Sequence, residues 1–236
     1  MLLLTGTSGY SYKEWLGHFY PEKLPAGEML RYYAERFPTV EINNTFYRMP
    51  AESMLQQWSE QVPDHFVFTL KAPRRITHEK RLREAESDVA ELLRRAGVLG
   101  NKLGVLLFQL PPYLKKDLPR LRDFLDLMPS GQRVAVEFRN ASWQDDEVYD
   151  TLHDRSATLC VTDTDEGDTP FVATSDCGYV RLRRTHYDSG ELRDWAERIA
   201  EQGLPKTYVY FMHEDEALGT RFAQSLSEQW AARGTG

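Results

Sequence analysis

Short runs in which apolar and polar residues alternate recur along the chain, each followed by a longer stretch with apolar residues three and four positions apart. The first spacing marks a strand and the second a helix. Strands are predicted at Leu2 to Thr7, Thr39 to Asn43, His65 to Lys71, Lys102 to Leu110, from Val134 onward, Ala157 to Asp163, Gly178 to Arg183 and Lys206 to His213. Helices are predicted at Gly27 to Phe37, Ala51 to Gln61, Glu84 to Leu99, Asp117 to Met128, Asp145 to Arg155, Glu191 to Gln202 and Ala217 to Trp230. Pro111-Pro112 stops the fourth strand, because proline has no N–H to give a sheet. Thr164 to Cys177 carries no helical pattern. Eight strands alternating with helices predict an α/β chain, a TIM-barrel-like (β/α)8 fold, irregular where the helix between strands six and seven is missing.

The same alternation points to a site. In Val134-Ala135-Val136-Glu137-Phe138-Arg139 the apolar residues Val134, Val136 and Phe138 share one face, which leaves Glu137 and Arg139 on the other. A buried strand that ends in two inward charges belongs at the carboxyl mouth of a barrel. The pattern repeats: Glu41 and Asn43 oppose Val40 and Ile42, Thr69 and Lys71 oppose Phe68 and Leu70, and Gln109 opposes Phe108. On the sixth strand Leu159, Val161 and Asp163 share a face, with Cys160 turned toward a helix; on the seventh Tyr179, Arg181 and Arg183 do. On the eighth, parity does not settle which of Tyr210 to Glu214 points inward. Glu41, Lys71, Gln109, Glu137, Asp163 and Arg181 are therefore expected around one depression.

Composition changes this picture little. The 236 residues, 41% hydrophobic and 28% charged, suit one soluble domain, and no Pro/Gly/Ser-rich linker divides it. Only the tail, residues 233–236, is expected to be disordered. No apolar run is long enough to cross a bilayer and the start lacks the features of a signal peptide, so no membrane role is expected. Two cysteines, Cys160 and Cys177, without metal-ligand spacing fit a cytoplasmic protein with reduced thiols. A net charge of -7 argues against a protein that coats nucleic acid through its overall charge. Arginine outnumbers lysine by 21 to 8, which more often reflects genome composition than bidentate anion recognition.

Six ordered motifs resemble the domain of unknown function 72, or YecE-like, family over almost the whole chain. They are Gly6-Thr7-Ser8-Gly9-Tyr10-Ser11-Tyr12, Val40 to Arg48, Leu70-Lys71-Ala72-Pro73 with Ile76-Thr77-His78, Phe108 to Pro112, Glu137-Phe138-Arg139 with Ser142-Trp143, and Tyr179-Val180-Arg181-Leu182. The resemblance implies a (β/α)8-like fold and a family whose biochemical activity is not known. Many members continue the seventh strand with His-Gly and end the eighth with Phe-Asn-Asn-Asp. This chain has Arg183-Arg184 and Phe211-Met212-His213-Glu214 there, so a different substrate is expected.

The candidate catalytic residues are Glu137, Arg139, Glu41, Lys71 and His213. A carboxylate in a barrel mouth serves as acid or base when its surroundings tune it, and Arg139 beside Glu137 favours the ionised form; the alternative is a structural ion pair. Lys71 reads as an electrostatic anchor or, if desolvated, a nucleophilic amine. Tyr10, Asn43, Asn44, Tyr47, Gln109, Trp143, Asp163, Arg181 and Arg183 are the candidate substrate contacts. Glu41, Glu137, Asp163 and His213 lie near strand ends where a divalent ion is conceivable, but no local metal motif supports it, and neighbouring cations compete for the carboxylates. Gly6-Thr7-Ser8-Gly9 offers N–H groups to an anion without matching a phosphate loop or dinucleotide fingerprint, so no cofactor is expected.

Two functions compete. The first is an enzyme acting on a small anionic substrate by carboxylate acid/base chemistry, with hydrolase or lyase reactions favoured. The second, ranked below it, is a nucleic-acid-binding or nucleic-acid-processing barrel in which Arg74, Arg75, Lys80, Arg81 and Arg83 track phosphates while Tyr10, Tyr12, Tyr47 and Trp143 stack on bases. A third and weaker reading docks a protein on the aromatic first loop. Oligomeric state is not legible in the sequence.

Overall fold

The computed structural model describes residues 1–213 and 215–233. Its strands are β1 (Leu2–Thr7), β2 (Thr39–Ile42), β3 (Val67–Lys71), β4 (Leu103–Gln109), β5 (Arg133–Glu137), β6 (Thr158–Thr164), β7 (Gly167–Asp168), β8 (Cys177–Leu182) and β9 (Lys206–Phe211). The helices are α1 (Met29–Ala34), α2 (Glu52–Gln61), α3 (Glu86–Ala96), α4 (Leu118–Leu125), α5 (Asp146–Asp154), α6 (Ser189–Glu201) and α7 (Leu218–Arg233). Every strand but β7 pairs in parallel, in the order β1-β9-β8-β6-β5-β4-β3-β2. The ring is drawn together between its ends by a parallel bridge from Ser8 to Glu41. This is a nearly closed (β/α)8-like barrel, as the alternation predicts.

Helix ends follow local chemistry. Asp117 and Asp145 accept from the N–H groups of Arg120 and Glu147 at the starts of α4 and α5. Asp188 and Glu191 form a capping box on α6. Between β6 and β8 no α-helix forms among the described residues; β7 instead folds back antiparallel on β6. Thr174 then substitutes for the missing packing, accepting from the Leu159 N–H at 2.8 Å and donating to the Ala157 carbonyl at 2.7 Å. The expected tail of 233–236 is divided: Arg233 ends α7, and 234–236 lie outside the described residues.

Two apolar clusters separate the faces of the sheet. Val40, Phe68, Leu106, Phe108, Val134, Val136, Val161, Val180 and Val209 pack outward against the helices. Leu4, Val105, Leu107, Ala135, Cys160, Tyr179, Tyr208 and Tyr210 fill the barrel. Buried tyrosines need partners for their hydroxyls, and Tyr210 finds them in Thr39 and Thr69 at 2.7 and 2.8 Å. Cys160 corrects the sequence reading: it points into the barrel. The register pairs Cys160 with Tyr179 and Thr162 with Arg181, so Leu159, Val161 and Asp163 face the helices.

The aromatic first loop folds onto the barrel's flank. Trp15 and Tyr20 are buried, and Tyr12, Trp15, Phe19, Tyr20, Tyr32, Tyr33 and Phe37 touch ring to ring. These rings are packing rather than an open stacking surface. The N–H groups of Ser8 and Gly9, expected to face an anion, are used to close the barrel: they donate to the carbonyls of Phe211 at 2.9 Å and Glu41 at 2.7 Å.

Gly6 makes that closure fit. A Cβ there would lie 2.2 Å from the Thr39 carbonyl oxygen, inside any real contact distance. Gly6→Ala is expected to destabilise the fold by roughly 3 kcal/mol through overpacking. Gly97→Ala, at a helical glycine with open space around it, is expected to be neutral or mildly stabilising. Urea denaturation compares the two; equal midpoints would show that the β1–β2 seam is not tightly closed.

Candidate functional site: a buried arginine between two carboxylates

The inward residues at the carboxyl ends of the strands form a charged layer above the tyrosines. Arg181, from β8, is completely buried. Its Nη2 donates to Glu41 Oε1 on β2 at 2.9 Å, and its Nη1 donates to Glu137 Oε2 on β5. Gln109, at the end of β4, accepts from Arg181 at 3.4 Å and from Arg139 at 3.3 Å. Glu41 also accepts from the Ser8 hydroxyl and from the Tyr179 hydroxyl, each at 2.5 Å. Glu137 receives the Arg139 Nε at 2.8 Å, with an Arg183 Nη 3.7 Å from the same oxygen.

The electrostatics follow from this packing. Burial alone would push the Glu137 carboxyl up, but Arg181, Arg139 and Arg183 outweigh it and hold the pKa down at about 2. Such a carboxylate stays ionised and is a weak base near neutrality. Lys71 moves the other way. Burial and the nearby Arg181 depress its ammonium to about 8, against the opposing pull of Glu137 and Glu41. Its Nζ lies 4.3 Å from the centroid of the Phe46 ring and makes no hydrogen bond or ion pair among the described residues. Burial, helped by Lys71, Arg74 and Arg139, lowers His78 as well, and its ring packs edge-on against Phe46 at 5.0 Å. Burial also lowers Arg183.

Glu41, Lys71, Gln109, Glu137 and Arg181 thus gather at one mouth as the alternation predicted, joined by Arg139 and Arg183, while Asp163, expected with them, does not. Tyr10, Asn43 and Asn44 line a small cavity of about 130 Å³ beside the mouth, together with Gly9, Tyr12 and Trp58. The Asn43 Oδ1 is buried there without a hydrogen-bond partner among the described residues. Asn44 and Tyr47 are exposed on the following turn, Tyr47 by 75%.

Three candidates fall elsewhere. Asp163 points outward, accepting from Trp195 Nε1 of α6 at 3.1 Å and Arg184 Nε at 2.7 Å. Trp143 is fully buried, stacked on Phe138 at 4.7 Å and donating to the Leu114 carbonyl, so it has no surface left for a ligand. The His213 ring sits among Tyr187, Phe211 and Phe222, with Nε2 against the Arg184 carbonyl; Glu214 lies outside the described residues. Of the four groups weighed as metal ligands, Glu41 and Glu137 share Arg181 at the mouth while Asp163 and His213 lie elsewhere, and among the described residues no three His, Cys, Asp or Glu side chains gather as ligands.

Ser8, Tyr179, His78 and Met212 join the mouth without having been singled out. Tyr179 was legible from its parity with Arg181. His78 carried a motif but sits on an irregular turn, Arg75–Glu79, that no periodicity reveals. Met212 places its sulfur 3.1 Å from Arg181 Nη2 and so shows that β9's inward row is Tyr208, Tyr210 and Met212.

The family model "Protein of unknown function DUF72" matches residues 4–236. The chain belongs to this family. It is similar to the UPF0759 protein YecE of Escherichia coli K12, 33% identical over 141 residues, 57% of this chain and 52% of YecE. It is also similar to the UPF0759 protein YunF of Bacillus subtilis, 29% identical over 140 residues, 56% of this chain and 49% of YunF. These alignments span about half the length of either curated relative. The crystal structure of a DUF72 family protein from Thermotoga maritima covers 100% of both chains at 27% identity, with a TM-score of 0.84.

Two stability effects of opposite sign test these electrostatics. Glu137→Gln leaves the buried Arg181 guanidinium short of a counter-ion and is expected to cost about 3 to 5 kcal/mol. The Glu137 pKa is depressed on folding, so its stabilisation is full above the unfolded pKa near 4.5 and declines as pH falls toward about 2. Lys71→Met removes a desolvated, unpaired ammonium and is expected to stabilise by roughly 1 to 3 kcal/mol at neutral pH. Because the folded Lys71 pKa lies below 10.5, that gain shrinks as pH rises from 8 toward 10.5, where the folded wild type has already shed the proton. Denaturant melts across pH read both effects; a destabilised Lys71→Met would show that the ammonium is well solvated or paired.

Proposed function

We propose that this protein is an enzyme acting on a small anionic substrate held at the barrel mouth, with Lys71 rather than Glu137 as the reactive group whose protonation changes near working pH. The observation that carries the reading is an excess of positive charge with unspent donors. Four cations, Lys71, Arg139, Arg181 and Arg183, face two carboxylates, Glu41 and Glu137, and both carboxylates already bind Arg181. The Arg183 guanidinium makes no hydrogen bond among the described residues and is a quarter exposed, which suits it to a phosphate or carboxylate oxygen. Charge in a partly desolvated cleft of this kind attracts anions even on a net-acidic protein. Lys71, at about 8, exchanges a proton near working pH, as Glu137 at about 2 does not.

The basic run favours this reading over nucleic-acid binding. Arg74 pairs with Glu79, Arg75 and Lys80 with Asp88, and Arg83 with Asp117, so most of that charge is neutralised locally. The first-loop aromatics and Trp143 are engaged in packing. Among the described residues no helix is long and apolar enough to cross a membrane. Both cysteines are free and buried, which supports placement in a reducing cytoplasm.

Inorganic phosphate is the test ligand. With a Kd of about 1 mM, about 10 mM phosphate adds roughly 1.4 kcal/mol and raises Tm by a few degrees. The rise is expected to vanish in Arg183→Ala; a rise retained there places the anion elsewhere. Oligonucleotides are expected not to bind at physiological salt, and tight binding that weakens steeply with added salt would reverse the order of the two readings.

A further inference from the structure

Among the groups at the mouth, Lys71 has the least explained surroundings. Its side chain leaves the end of β3 toward the layer of charges. The groups facing it are Arg181 on β8, Glu137 on β5 with Arg139 just beyond it, Glu41 on β2, and His78 on the Arg75–Glu79 turn. Both carboxylates turn their oxygens to arginines, and Lys71 is left against the face of Phe46. A lysine needed only to hold the fold would be expected to reach one of those carboxylates. A lysine needed only to bind an anion would be a fourth cation where three arginines already supply better donors. What the arginines cannot supply is a neutral amine, because guanidinium does not lose its proton.

We propose that Lys71 is a nucleophile that forms an imine with the substrate's carbonyl group, the substrate being an aldehyde or ketone that carries a carboxylate or phosphate. This rests on the reading that the mouth binds a small anion. The lone pair of the neutral amine forms the new N–C bond while the carbonyl π pair moves to oxygen. The nitrogen gives up a proton and the oxygen gains one, giving a carbinolamine. Its C–O bond then breaks, the hydroxyl leaves with a further proton as water, and a C=N bond remains. No oxidant or cofactor is required. Arg139, one of the cations that lower the Lys71 pKa, and Arg183, 3.7 Å from Glu137, supply positive charge for the substrate's anionic group and for the negative charge that develops on the carbonyl oxygen. The low proton affinity of Lys71 gives a substantial neutral fraction close to neutral pH.

The experiment is reductive trapping on the full chain. Glyoxylate and pyruvate serve as probes with cyanoborohydride as reductant, and peptide mass spectrometry reads each of the 8 lysines. Lys71 is expected to be reductively alkylated at least about tenfold faster than exposed Lys13 or Lys115 near neutral pH, where ordinary lysines are almost fully protonated. The rate is expected to rise with a midpoint near 8, and phosphate is expected to slow it. Lys71→Arg keeps the charge and is expected to abolish the adduct at that position while circular dichroism stays unchanged. Phosphate that raises Tm while Lys71 stays unlabelled by both probes would overturn the imine and leave the anion site standing. Labelling of Lys71 that phosphate does not slow would separate the amine from the anion site and overturn the proposal that they act together.

Discussion

An arginine cannot be buried alone. Transfer of a guanidinium out of water is so costly that it requires counter-ions at hydrogen-bond distance, and Arg181 has two, Glu41 from β2 and Glu137 from β5. The requirement is geometric as well as electrostatic. Strands far apart around the ring must bring their carboxylates to the height of one residue on β8, so the three cannot slip independently. Gln109 ties β4 into the same network, while Ser8 and Tyr179 complete the lone pairs of Glu41. Barrel interiors are usually sealed by branched apolar layers. Here the seal at the carboxyl end is a salt-linked plate resting on tyrosines.

Most of that plate was legible because inward and outward residues alternate without exception in a regular strand. Once Val40, Phe68, Phe108, Val136 and Val180 are recognised as the helix-facing row, Glu41, Lys71, Gln109, Glu137 and Arg181 must face the other way. The count of the eight parallel barrel strands and the absent helix before β8 were legible on the same grounds, whereas the two-residue β7 was not. Parity divides a strand into two faces but does not say which is inside, and β6 exposes the difference. Asp163 is a charge at a strand end, as Glu137 is, yet Trp195 and Arg184 supply its partners on the helix side. The identity of a tertiary partner, rather than the polarity of a residue, decided the face.

The remainder lay in loops, where no period operates. Trp143 looked like a stacking platform because it follows Glu137-Phe138-Arg139 in a motif, but Phe138 turns outward and Trp143 follows it into the core. His78 reached the mouth through a turn held by π-type hydrogen bonding, with Arg81, Leu82 and Glu84 at positive φ just after it. Positive φ at three non-glycine residues in so short a span is unfavourable locally and is held by surrounding contacts. Among these, the Leu82 N–H donates to the Ile76 carbonyl at 2.9 Å, and Lys80 and Arg75 both pair with Asp88. The basic run that suggested a phosphate track is therefore the clamp on a strained turn.

The departures from the commoner family endings divide by face. Arg184 turns outward, where it pairs with Asp163 and Glu191 and so anchors the start of α6. Arg183, one residue earlier, adds charge to the mouth without a strong partner. After the phenylalanine that ends the last strand, this chain offers the Met212 sulfur, a weak acceptor, to Arg181. Arg183 raises the positive potential of the mouth, and Met212 supplies only a weak acceptor at the same spot. A protein selected only for stability would be expected to pair these donors. Leaving them underused, beside a lysine that makes no hydrogen bond or ion pair among the described residues, lowers stability and keeps the mouth electropositive and partly desolvated.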